Sequence, residues 1–363
     1  IVFGDWSSDV CSSDLRYKTG VFFEGILPVI SIIAALLFAG GALLLFGVSP
    51  LAAYKAMFRG ALGSGYGLSE VIVKAIPLVI SGVAVALAFR MKVWNIGAEG
   101  QIYLGALASA AAVRFLPSGN QVVMLLAMTA AAIIAGGAWG YIAGFLKSRW
   151  NVNEVITTLM LNYVGIHLAD HFIYGPWRDP SSLGFPMTPP FPPSARLPLF
   201  FGTRVHLGVL AAVLLVLLFR LVIRWTRWGF EIRAIGDNPR AAEYAGINYG
   251  RNVALLMFIS GAIAGLAGMT EIAGLQGRLQ PGFSPGYGYT AIIVAWLARL
   301  NPWGIMMVSF FMGVLLVGGD TIQVIMRLPL ASVQVIQGCI LFSVLGFEFF
   351  RNYKVLLLRR ERE

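Results

Sequence analysis

Few residues in this 363-residue chain have the types and spacing that chemistry requires. His167, His171 and His206 form no metal motif, and Cys11 with Cys339 gives neither a disulfide framework nor a metal spacing. Asp170 and His171 are adjacent and point apart, and no carboxylate pair stands with a histidine at helical spacing, so no catalytic residue and no metal ligand is assigned. What remains is a set of polar residues inside apolar runs, where polar groups are costly and mark a pathway or an internal hydrogen bond. Glu99 leads the set. It follows Asn95 by four residues, which puts both on one side of a helix, with Gln101 pointing elsewhere on the same turn. Gly97 and Gly100 would let backbones approach or let the helix break, opening N–H and C=O groups to a neutral polar ligand. Two readings stand for Asn95 and Glu99: they face a ligand, or they cap an interrupted helix. Asn162 follows Thr157 and Thr158 by about a turn; the three could line the same path, or the threonines bond back to their own helix. Tyr287 and Tyr289, beside Gly286 and Gly288 at the outer start of an apolar run, could gate or stack, or serve as interfacial aromatics.

The elements that must position these residues are membrane helices. Hydrophobic residues make up 58% of the chain and charged ones 12%, about half the usual charged share of a soluble domain; the mean hydropathy is +0.78. Lipid must therefore cover much of the surface. The net charge of +10 comes from 27 Lys and Arg set in short clusters between apolar runs, the pattern that orients membrane proteins rather than the basic stripe of a nucleic-acid binder. Runs near 26–47, 70–89, 95–113, 122–146, 155–174, 206–224, 252–273, 287–300, 303–324 and 331–350 give an all-α polytopic protein of about ten (8–10) transmembrane helices, with 95–113 and 287–300 short enough to be broken or re-entrant. Gly136, Gly140 and Gly144, and again Gly261 and Gly265, repeat at four-residue spacing, which suits close helix packing in lipid.

Parity sets the orientation. With the N-terminus inside, the inner turns carry Arg90 and Lys92, Lys147 and Arg149, the arginines from Arg224 to Arg251, Arg299, and Arg351 to Arg362, while the proline-rich segment 175–205 outside carries only Arg178, Arg196 and Arg204. Both termini are then cytoplasmic. The segment Asp5–Leu15 has no hydrophobic period and is unlike a signal peptide; it resembles translated adapter sequence, or is a polar tail. Residues 1–19 are read as this non-native or disordered tail, 20–355 as the membrane domain, and 356–363 as a basic cytoplasmic tail.

The inner loop 229–251 carries a helix with its punctuation complete. Asp237 or Asn238 can cap the first free N–H groups, Pro239 suits the first helical position, and Gly246 fits the left-handed position past the end. A two-turn helix is too short to hold itself, so it docks on this protein's own helix ends or on a cytoplasmic partner.

This loop, Arg233-Ala234-Ile235-Gly236-Asp237-Asn238-Pro239 with Arg240, Glu243 and Gly246, closely resembles the coupling loop of ATP-binding-cassette (ABC) importer permeases, nearest the group that imports nucleosides and simple sugars with a basic-membrane-lipoprotein type binding protein. Asn95-Ile96-Gly97-Ala98-Glu99-Gly100-Gln101, the run from Asn153 to Tyr163, the run from Ser260 to Gly268, and Gly286-Tyr287-Gly288-Tyr289 resemble the family's other motifs in order, over residues 20–355. The resemblance implies a type II importer-like bundle with an internal repeat. A faint repeat is visible between Pro77–Gly105 and Tyr289–Gly313, each with a basic turn bearing an asparagine, Asn95 or Asn301. It further implies a second permease subunit, ABC ATPase subunits that carry ATP and Mg, and an extracytoplasmic binding lipoprotein, in a bacterial-type inner membrane. This chain has no phosphate-binding Gly-x-x-x-x-Gly-Lys-Ser/Thr loop, so no cofactor is expected on it, and amides such as Asn95 and Asn162 suit a sugar or nucleoside. In that setting Asp170 and His171 read as surface polar residues beneath the binding protein. The rivals are an ion-coupled secondary carrier, which would want partnered mid-membrane acids, and a membrane-embedded enzyme, which would want a catalytic cluster.

Overall fold

A computed structural model describes residues 21–200 and 202–352; the tail 1–19 with Cys11, and the basic tail 356–363, lie outside the described residues. Among the described residues thirteen α-helices follow one another: α1 Val21–Leu45, α2 Pro50–Leu62, α3 Gly65–Arg90, α4 Ala98–Phe115, α5 Gln121–Trp150, α6 Glu154–Tyr174, α7 Gly208–Trp225, α8 Arg227–Asp237, α9 Pro239–Tyr244, α10 Tyr249–Glu271, α11 Tyr287–Leu297, α12 Pro302–Met326 and α13 Leu330–Asn352. Among the described residues there is no strand, only one isolated bridge between Leu199 and His206. Among the described residues five helices, α3, α5, α7, α12 and α10 with its extension to Gln276, are long and apolar enough to cross a membrane, and a sixth span arises if α1 and α2, bent by 113°, are taken together. The protein is thus an all-helical multi-pass membrane protein.

The chain forms two compact units. Residues 1–57 with 319–363 make one, in which α1 packs on α13 around Ala39, Leu43, Ile322, Val333 and Ile336. Residues 58–318 make the other. Its centre is α10, packed on α3, α4 and α5. The expected small-residue stripes meet there: a Cβ on Gly136 of α5 would overlap the carbonyl oxygen of Gly261 in α10, so these backbones touch with no side chain between them. Asn151 in a left-handed conformation ends α5, Asn153 caps α6, and Lys147 bridges to Glu154 at 3.0 Å across the turn.

Two interruptions matter for function. α3 ends at Arg90, Lys92 takes a positive φ of 58°, and residues 91–97 are non-helical before α4 starts at Ala98. α10 passes into a single π-helical turn, Ile272–Gln276, and the chain then runs without regular structure to α11. α11 has 11 residues, about 16 Å, or half a hydrocarbon core. Arg90 donates to the Leu300 carbonyl at 2.9 Å, so α3 and α11 end at one level. Tyr287 and Tyr289 sit at the start of α11, where Gly288 abuts the Glu99 backbone at the start of α4.

Candidate functional site

The break before α4 is built from side-chain amides standing in for missing helix bonds. Asn95 is fully buried, and its Oδ1 accepts from the Gly97 N–H at 3.1 Å, a local turn that competes with helix. That is why α4 starts three residues later than a shared Asn95–Glu99 helix face would need: the two residues do not lie on one helix. Gln101, expected to point elsewhere, pairs with Asn95 twice, Asn95 Nδ2 to Gln101 Oε1 at 3.0 Å and Gln101 Nε2 to Asn95 Oδ1 at 3.1 Å. Asn95 Nδ2 also reaches Ser260 Oγ in α10 at 2.8 Å, and Ser260 donates to the Ala84 carbonyl in α3 at 2.7 Å. One amide pair thus joins α3, α4 and α10.

Asn162 in α6 closes the other side. Its Oδ1 accepts from the Gly100 N–H at 2.7 Å, one of the free donors of the first turn of α4, and its Nδ2 donates to the Ile96 carbonyl at 2.8 Å. The Ile96 N–H goes to Thr158 Oγ1 at 3.3 Å, while Thr157 and Thr158 also donate back to Asn153 and Glu154 carbonyls. Glu99, 2% exposed, accepts the Gly288 N–H at 2.6 Å and bonds the Ser284 hydroxyl and Gly286 backbone. A Cβ on Gly288 would overlap the Glu99 amide nitrogen, so the starts of α4 and α11 meet backbone to backbone around this carboxylate. Tyr289, 37% exposed, has its hydroxyl 3.4 Å from Asn162 Nδ2; Tyr287, 1% exposed, packs inward.

The structure therefore gathers Asn95, Glu99, Gln101, Asn162 and Tyr289 into one buried polar knot at the junction of two broken helices. Ser260, Ser284 and Tyr103 belong to it but were not singled out from sequence; Ser260 lies 165 positions from Asn95, and no local pattern signals that pairing. Tyr103 packs on Phe283 in a tilted arrangement, ring centroids 4.5 Å apart and planes at 50°.

The second candidate region is the loop after α7. Thr226 caps α8 by accepting from the Gly229 N–H at 3.0 Å. Trp228 Nε1 donates to Asn252 Oδ1 at 3.0 Å, and Asn252 Nδ2 to Glu231 at 2.9 Å, which pin α8 to α10. Gly236 is buried against the Arg90 carbonyl, where a Cβ would overlap it. Asn238 Oδ1 then accepts from the Ala241 N–H at 3.2 Å, Pro239 opens α9, and Gly246 takes φ +82° past its end. Asp237, Asn238, Pro239, Arg240, Glu243 and Gly246 are exposed, Arg233 is half-buried, and in α9 only Ala242 is buried. The result is a short capped helix held out on a rigid arm, whose arm abuts the end of α3 and hence the break at 91–97.

Apolar helices long enough to span, a buried polar knot where two of them are broken and a short projecting helix describe a multi-pass membrane protein. The chain belongs to the family described as branched-chain amino acid transport system / permease component, which it matches over residues 67–345. It is 40% identical to the glucose ABC transporter permease protein of Haloferax volcanii, over 90% of this chain and 89% of that one. It is 33% identical to the guanosine ABC transporter permease protein of Bacillus subtilis, over 88% and 92%. It is 28% identical to a nucleoside ABC transporter permease protein of Lactococcus lactis subsp. cremoris, over 88% and 90%. No solved structure matches it.

Proposed function

We propose that this permease moves nucleosides or simple sugars inward across a bacterial-type cell membrane, received from an extracytoplasmic binding lipoprotein and driven by separate ABC ATPase subunits that hold ATP and Mg. The observation that carries the reading is α9: six residues, too short to be stable alone, yet capped, exposed and mounted on an arm pinned to α10 and seated on the end of α3. Such an element suits a motor that grips it from below and moves the ends of α3 and α10. The relatives carrying glucose, guanosine and nucleoside transport in their names support the solute class.

The full arrangement we infer has about ten membrane helices in a type II importer-like bundle. Two such subunits, identical or different, pair around the path, with both termini cytoplasmic. A pseudo-repeat fits the turns after α3 and α11. In each, a positive φ (Lys92; Arg299 and Leu300) follows the helix and a six-residue backbone bond closes the turn, Val93 N–H to Ala88 and Leu300 N–H to Ala295. The test is reconstitution with ATPase and binding-protein partners: ATP-dependent uptake of labelled nucleosides or hexoses supports the reading, and uptake that persists without any ATPase contradicts it.

A further inference from the structure

α6 has 21 residues, about 32 Å and so long enough to span, yet it is not among the helices apolar enough to do so. The cause lies on one face. Tyr163, His167, Asp170, His171 and Tyr174 fall along a single helical stripe. Tyr163 and Tyr174 are 52% and 58% exposed, both histidines are exposed, and Asp170 is half-buried. The opposite face, with Thr158, Asn162, Gly165 and Ala169, is the one that packs against α4. Below Tyr163 the exposed stripe turns apolar at Met160 and Ile156. Polarity thus begins halfway along the helix and runs to the end where segment 175–207 starts.

Lipid is a poor cover for such a stripe, because an aspartate and two histidines facing hydrocarbon would be unsatisfied. Asp170 adds to the cost: it is half-buried, and its enclosed Oδ1 has no hydrogen-bond partner within the protein. Tyr289 of α11 reaches α6 beside the stripe, its hydroxyl 3.4 Å from Asn162 Nδ2, next in sequence to Tyr163. A half-buried carboxylate on a stripe that also carries the exposed rings of Tyr163 and Tyr174 matches one ligand chemistry, a polyhydroxylated ring. Its hydroxyls donate to the carboxylate and its apolar face lies on the aromatic rings.

We propose that this stripe of α6, with Tyr289, lines the half of the solute path between the membrane midpoint and segment 175–207, and that Asp170 accepts hydroxyl hydrogen bonds from a sugar ring, free or within a nucleoside. The solute chemistry rests on the import function proposed above; the lining does not.

Two experiments separate these parts. In the assembled complex, with Cys11 and Cys339 replaced by serine, His167→Cys and Asp170→Cys are treated with a charged, membrane-impermeant thiosulfonate. Ile134→Cys, at a position 64% exposed on α5, is the lipid-facing control. Labelling of both stripe positions at least about tenfold faster than the control is expected for a wet face; labelling no faster than the control overturns the lining. In the second, Asp170→Ala and Asp170→Asn are compared in uptake of a ribonucleoside and its 2′,3′-dideoxy analogue, each on saturated binding protein. Asp170→Ala should shrink the preference for the hydroxylated solute by about threefold or more, with Asp170→Asn in between because its amide oxygen still accepts. An unchanged preference overturns the role of Asp170. A wild-type complex that carries neither nucleosides nor sugars overturns the solute class, while the labelling result still decides the path.

Discussion

Replacing Asn162 with alanine unties the break before α4 at two points at once. The Gly100 N–H loses its 2.7 Å acceptor and the Ile96 carbonyl its 2.8 Å donor, both deep in the bundle. Interhelical side-chain bonds in membrane proteins average about 0.6 kcal/mol, because the unfolded chain in lipid finds other partners. A buried backbone group left unpaired costs about 1–3 kcal/mol. The second figure governs here: residues 91–97 are non-helical, so the Ile96 carbonyl lacks a helix ladder to fall back on, and the first-turn Gly100 N–H is an orphan donor by position. Two such groups give a loss of about 2–6 kcal/mol. Asn162→Asp keeps the acceptor for Gly100 and loses the donor to Ile96, so it should fall about midway. The assay is unfolding of the purified permease in mixed micelles with added SDS, followed by tryptophan fluorescence. A loss below about 1 kcal/mol for Asn162→Ala, or equal losses for the two variants, would refute the claim that this amide ties the break together.

Other outcomes follow from single contacts. Gly136→Leu forces a side chain into the Gly261 carbonyl and should prevent α5 and α10 from closing, seen as loss of monodisperse protein after extraction, whereas Ile134→Leu on the exposed side should be silent. His206, outside the spanning helices and 1% exposed, has its imidazole pushed down to about 4 by burial. The folded state therefore holds fewer protons than the unfolded one between about pH 6.5 and 4. Stability should be intact above pH 6.5 and drop by about 2 kcal/mol at pH 5, a loss that His206→Gln should abolish in pH-dependent melting. Arg240→Glu, fully on the surface of α9, should leave melting unchanged but abolish ATP-driven uptake; Gly246→Pro cannot take φ +82° and loses the 2.9 Å bond to the Glu243 carbonyl, so it should distort the end of α9 and abolish uptake while the spans stay inserted.

Much of this architecture is legible in the residues. The punctuation around Pro239 gives α9 with the right cap, and the four-residue glycine spacing marks where α5 and α10 cross. Length alone flags 95–113 and 287–300 as interrupted. α8 was hidden because Gly229 and Gly236 argue against helix; they are there for close approach, Gly236 to the Arg90 carbonyl. Thr226 with Ile232 and Ile235 three apart was the available signal. α2 was missed because its weakly amphipathic run follows a sharp bend rather than continuing a span. The knot itself could not be read, since helix periodicity places Asn95 and Glu99 together while the structure spends Asn95 on Gly97, Gln101 and Ser260. Contacts between residues 62 to 189 apart in sequence carry no local signature.

The most direct measurement is at Tyr244, 94% exposed at the end of α9. With Tyr244→Cys as the single cysteine and a short bifunctional reagent in native membranes, the permease should cross-link to an ATPase subunit in high yield, and the cross-link should stop uptake. A cysteine that reacts freely with soluble thiol reagents, yields no such adduct, and leaves uptake running in membranes stripped of ATPase would contradict the assignment of α9 as the motor's point of attachment.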